Sequence, residues 1–170
     1  MQTIHFRQWT FRCDPDETRR IYALLAQRLS ERGGMACSCP RCRNFFQARD
    51  RERVFPGEVL SLFESLGIDY KCETELLSLR PHSSGAHSYS VWFPFVADRL
   101  ERPRNVYKPD SSENSESLEM DFDERIDDSC SISFTDQVMF VPDLFGRRPS
   151  LEAVVTLKVP WILAESDPGG

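Results

Sequence analysis

A chain of 170 residues, 40% hydrophobic and 28% charged, is long enough to bury one core and too apolar for a disordered tail. No run approaches the ~18 apolar residues that a bilayer-spanning helix needs, and the opening Met1-Gln2-Thr3-Ile4-His5-Phe6-Arg7 lacks the basic-then-apolar order of a secretory leader. The expectation is therefore a cytoplasmic protein without membrane contact, where thiols stay reduced and six cysteines read as metal ligands, packing groups or reactive thiols before disulfides.

The net charge of -6 is local. Between Asp110 and Asp128 stand nine acids (Asp110, Glu113, Glu116, Glu119, Asp121, Asp123, Glu124, Asp127 and Asp128) against one base, Arg125. That segment carries a surplus of eight negative charges and leaves the rest of the chain near +2, so the segment itself is what needs explaining.

In chain order, the alternation of Ile4, Phe6, Trp9 and Phe11 predicts a first strand over 4–12. Asp14-Pro15-Asp16-Glu17 is a helix start: Asp14 can accept from free amides, Pro15 suits the first helical position, and Glu17 completes a capping-box pattern. Ile21, Leu24, Leu25 and Leu29 then form one stripe, which Gly33-Gly34 ends. A second helix is predicted over 41–53. A third opens at Pro56, with Val59, Leu62, Phe63 and Leu66 at helical spacing and Gly67-Ile68 as a left-handed cap.

Beyond residue 70 the period changes to two. Strands are predicted over 73–80, 88–97, 129–134 and 151–159, with Pro94 forcing a bulge or an edge. His82-Ser83-Ser84-Gly85 supplies a hairpin connection, and 103–128 reads as a mobile acidic excursion. Helices first and strands after define an α+β single domain, N-terminal helices on a mostly antiparallel β-sheet.

The chemistry-bearing stretch is Cys37-Ser38-Cys39-Pro40-Arg41-Cys42. Short spacings let backbone amides turn around one zinc ion, which takes four thiolate or imidazole ligands in a structural site. Cys37, Cys39 and Cys42 supply three; the fourth is expected from Cys72 first, then Cys13, His5, His82 or His87. Packing thiols are the competing explanation, and an enzyme using Cys39 or Cys42 as nucleophile is a further alternative. Arg41, Arg43, Arg49, Arg51 and Arg53 raise phosphate contact as another, with nucleic acid the weaker expectation because Asp50 and Glu52 interleave. No residue is assigned a catalytic role. His82, His87, Ser83 and Ser84 lack a nucleophile elbow, and Asp121, Asp123, Asp127 and Asp128 lack the glycine and closing glutamate of a calcium loop.

The leading expectation is a non-enzymatic protein-binding module. It docks a basic partner protein through Glu116, Glu119, Asp121, Asp123, Glu124, Asp127 and Asp128, with Leu118, Met120, Phe122 and Ile126 interspersed. As a bland alternative, the same acids solvate a loop that guards a sheet edge.

Cys37-x-Cys39-x-x-Cys42-Arg43-Asn44-Phe45, Phe55-Pro56, Leu66-Gly67-Ile68-Asp69, Trp92-Phe93-x-Phe95-Val96 and Pro160-Trp161-x-Leu163 together resemble a family of uncharacterised bacterial proteins, over roughly Cys37 to Leu163. The chain departs from that pattern where Phe93-Pro94-Phe95-Val96-Ala97 replaces a histidine and a glycine, and where Cys72 replaces a proline. The second departure weighs against Cys72 as a ligand common to the family. The resemblance carries no activity; by analogy it implies an immunity or accessory protein of a toxin system.

Overall fold

The structure, a computed structural model, describes residues 1–31, 37–51, 54–81, 85–101 and 124–165. Strands β1 (Gln2–Phe6) and β2 (Trp9–Cys13) precede helices α1 (Pro15–Glu31), α2 (Pro40–Arg51) and α3 (Gly57–Leu66). Strands β3 (Glu75–Pro81), β4 (Ala86–Glu101), β5 (Glu124–Arg125), β6 (Cys130–Thr135) and β7 (Ser150–Pro160) follow, with a 3-10 turn at Asp143–Phe145. The order is β1-β2-β4-β7-β6-β5, β3 also pairs with β4, and the pairings are antiparallel. The α+β class read from the sequence is the observed one.

The expected first strand is a hairpin. Phe6 pairs with Trp9 across Arg7-Gln8, and Arg7 takes φ 52, a left-handed conformation unusual outside glycine and asparagine. Long-range contacts hold it there. The Arg7 guanidinium donates to both carboxylate oxygens of Glu58 at 2.7 and 2.9 Å, to Glu124 at 3.0 Å and to the Arg125 carbonyl at 2.7 Å. The β1–β2 turn thereby meets β5, so the two ends of the strand order close on each other around the core.

Helix α1 starts as its sequence dictates: the Glu17 amide donates to the Asp14 carboxylate at 3.1 Å. Its buried stripe is rotated from the expected one. Thr18, Ile21 and Tyr22 face inward, while Leu24 is 38% exposed. Tyr22 wins because its hydroxyl donates to the Pro94 carbonyl at 3.0 Å, so a large ring is buried with its polar end satisfied.

Pro94 explains how one strand serves two partners. On one flank β4 pairs with β7 throughout; on the other, pairing with β3 stops at Trp92 and pairing with β2 begins at Ala97. Pro94 sits in the gap, where its missing N–H costs nothing. The first turn of α1 fills that gap: the Asp14 amide donates to the Val96 carbonyl at 2.8 Å, and the Val96 amide donates to Thr18 Oγ1 at 3.0 Å. The expected local edge is present, and a helix plugs it.

Helix α3 ends as predicted. Gly67 lies at φ 76, and the Ile68 amide returns to the Phe63 carbonyl at 2.9 Å, with Ile68 buried behind it. The helices cover one face of β4, where Phe63 stacks on Phe93 at 4.7 Å and Phe45 on Tyr89 at 5.3 Å. On the opposite face, the buried Glu152 carboxylate accepts the Met139 and Phe140 amides, both at 2.8 Å, and pins the segment that covers Trp92.

Candidate metal centre

The thiol cluster forms at the start of α2. Pro40 is the first helical residue, and the Arg43 amide donates to the Cys39 carbonyl at 3.0 Å, which makes Cys39 the capping position. Cys42, three residues on, lies on the same side of the first turn. The sulfurs of Cys37, Cys39 and Cys42 all lie within 4.8 Å of one another, and they could hold a metal ion. Cys37 and Cys39 are exposed, whereas Cys42 is 9% exposed.

The helix start differentiates the thiols. The Cys42 amide, and after it other donors including the Arg41 amide, stabilises the Cys39 thiolate and lowers its pKa. Burial pushes the Cys42 thiol up, and the neighbouring Cys37 and Cys39 add to that. Three sulfurs this close cannot all ionise cheaply without a cation between them. Such a soft donor set suits zinc, copper(I) or an iron–sulfur cluster rather than calcium or magnesium.

The platform beneath is hydrogen-bonded to the sheet, and it is built by a residue that entered the sequence reading only as part of the family pattern. Asn44, 0% exposed, donates to the Pro160 carbonyl at 3.0 Å and accepts from the Ile162 amide at 2.8 Å. The Tyr89 hydroxyl donates to the Arg41 carbonyl at 3.0 Å. Arg43 pairs with Glu165, whose carbonyl accepts from the Trp161 indole at 2.9 Å. The first turn of α2 is thus tied to β4 and to the segment after β7, each neutral bond contributing about 0.5–1.5 kcal/mol. An asparagine in mid-helix, a position its propensity disfavours, beside the buried Phe45 was the available signal.

Cys72, the first expected fourth ligand, is not in the group that Cys37, Cys39 and Cys42 form. It is buried, its thiol is 3.7 Å from the Asp69 carboxylate, and burial pushes its pKa up to about 12. Next to it, Glu73 accepts from Arg49 at 2.7 Å in the last turn of α2, seven residues or about 10 Å along the axis from Cys42. The helix therefore separates Cys72 from the other three. Burial drives the Glu73 carboxyl up to about 7 although Arg49 pulls it down, and Arg49, despite the burial that opposes its charge, is held above its ordinary value by Glu73 and Asp50. Burial dominates at Glu73, whose side chain is 0% exposed against 10% for Arg49.

None of the other described fourth-ligand candidates belongs to that group of sulfurs. Cys13 is buried on β2 with its thiol 3.8 Å from the Gln2 carbonyl, His5 is 3.0 Å from Thr10 Oγ1, and His87 is buried 5.2 Å from the Trp161 ring. His82 lies outside the described residues.

Of the acids expected to dock a partner, Glu116, Glu119, Asp121 and Asp123 lie outside the described residues. Glu124 is enclosed by Arg7 at 3.0 Å and Gln8 at 2.9 Å. Asp127 accepts the Ser129 hydroxyl at 2.8 Å and amide at 2.7 Å, which hold its carboxyl below the ordinary range. Asp128 is exposed and pairs with Arg125. Among the arginines proposed for phosphate contact, Arg43 and Arg49 are spent on Glu165 and Glu73. A groove of about 460 Å³ between α1 and α3, with Tyr22, Phe63 and Tyr70 in its wall, shares no residue with the thiols.

No protein-family model matches the chain, and no curated protein or solved structure is detectably similar to it. Among the described residues no helix is long and apolar enough to cross a membrane.

Proposed function

We propose that Cys37, Cys39 and Cys42 bind a zinc ion whose role is structural, and that the protein is a non-enzymatic binding module assembled on that centre. The carrying observation is the convergence of three sulfurs within 4.8 Å at the start of α2, on a turn already fixed by Asn44 and Tyr89. Zinc needs no redox partner and imposes no geometry of its own beyond four-coordination, which suits a site made by a turn. His82 is the remaining sequence candidate for the fourth position. The test is metal quantification on freshly purified, reduced protein. Wild type and Cys72→Ser should each carry one equivalent of zinc, and Cys42→Ser should carry none. A zinc-free wild type, or a Cys72→Ser protein that has lost its zinc, defeats the assignment.

A second reading concerns the partner: an immunity-type inhibitor that meets a basic protein, such as a toxin, through its acidic segment. It is supported by the surplus of eight negative charges over 110–128 and by the 98% exposed Asp128 side chain in the turn between β5 and β6. Neutralising Glu119, Asp121, Asp123 and Glu124 together should slow association with such a partner by about tenfold or more at low salt, the range that charge steering commands. An association rate unchanged by those substitutions, and equally indifferent to salt, removes this reading.

A further inference from the structure

Resting on the zinc reading, we propose that the thiol centre is a redox switch in which a low-molecular-weight disulfide oxidises Cys39 and Cys42 to an intramolecular disulfide and so expels the ion. The geometry divides the labour among the three sulfurs. Cys39 is exposed and within reach of an external oxidant, whereas Cys42, 9% exposed, is accessible chiefly to its neighbours. The two stand three residues apart at the start of α2, where the rise and turn of a helix put Cα atoms about 5 Å apart. Disulfides accept Cα separations of about 4.4–6.8 Å. Their sulfurs already lie within 4.8 Å of one another, so closure to bonding distance asks for side-chain rotation and a small adjustment of the first turn. Cys13, Cys72 and Cys130 are buried and do not belong to the cluster, which confines the chemistry to the α2 start.

The step balances with the disulfide as oxidant. The Cys39 thiolate attacks one sulfur of R–S–S–R; that bond breaks, R–S⁻ leaves, and a mixed disulfide forms on Cys39. The Cys42 thiolate then attacks the Cys39 sulfur and displaces the second R–S⁻. Two protein thiolates have lost two electrons, the oxidant has gained them and departs as two thiolates that take protons from water, and the ion leaves with Cys37 as its one remaining ligand of the three. A single thiolate cannot retain zinc against solvent, so oxidation state sets occupancy.

The experiment treats zinc-loaded full-length protein with glutathione disulfide, follows the ion with a chromogenic chelator, titrates free thiols, and maps disulfides by peptide mass spectrometry. The expected result is complete release of the ion, a loss of two free thiols per chain, a Cys39–Cys42 link, and recovery of zinc binding after reduction. In the double variant Cys37→Ser, Cys42→Ser the reaction should halt at a glutathione adduct on Cys39, a readout that does not require the variant to hold metal. Zinc retained under conditions that oxidise free cysteine overturns the switch, as does release accompanied by a link through Cys37. If the reduced protein holds no zinc before oxidant is added, the zinc reading fails and the switch with it, an outcome told apart from the others at the first measurement.

Discussion

On the proposed zinc assignment, stripping the ion from the reduced protein is expected to lower its melting temperature by about 8–16 °C. An ion present at about a thousand times its dissociation constant stabilises the folded state by about 4 kcal/mol. For a domain of this size each kcal/mol moves the midpoint by about 2–4 °C. The effect enters through α2, whose first turn carries the thiols and whose buried face supplies Phe45 and Ala48 to the core. Scanning calorimetry with and without a chelator reads the shift directly. Cys42→Ser serves as control, since a protein unable to hold the ion should melt at the same temperature in both conditions. A wild type whose midpoint ignores the chelator would remove the structural role given to the metal.

Gly67→Ala should destabilise the fold by at least about 3 kcal/mol. The left-handed conformation alone, at φ 76, costs a residue with a Cβ about 1–2 kcal/mol. Contact adds more: a Cβ at this position would lie 2.1 Å from the Pro15 carbonyl oxygen and 3.1 Å from the Arg19 amide nitrogen. Both are backbone atoms of α1's first turns, and that turn is held to β4 by the Asp14 and Val96 amides, so it has little freedom to retreat. Asparagine separates the two causes. It tolerates the left-handed region but carries the same Cβ, so Gly67→Asn should be nearly as unstable as Gly67→Ala in urea unfolding. Recovery of wild-type stability by asparagine would show that conformation, not the α1–α3 approach, is what glycine provides.

Legibility in the sequence followed the range of the interactions. Helix α3 was readable because its stripe and its glycine cap are local, and Asp14-Pro15 announced α1 for the same reason. The first hairpin was not, because Arg7 offers no turn signal of its own; its conformation is imposed by Glu58 and by β5, 51 and more than 115 residues away. Pro94 signalled an interruption correctly, yet that a helix N-terminus fills the gap is a tertiary fact. At the thiol centre, spacing identified Cys37, Cys39 and Cys42. It could not tell that Cys72 would sit by the opposite end of the intervening helix, because no local rule fixes how far apart the two ends of α2 place their neighbours. Glu124 counted as one charge among nine in the sequence and became half of a clasp in the fold.

The bond from the Ile162 amide to Asn44 makes the tail after β7 a distant reporter of the cysteines. Whatever loosens the first turn of α2 frees that amide to trade its hydrogen with solvent, more than 110 residues down the chain from the sulfur atoms. Deuterium uptake at one backbone position would therefore follow the state of the centre without any probe touching a thiol.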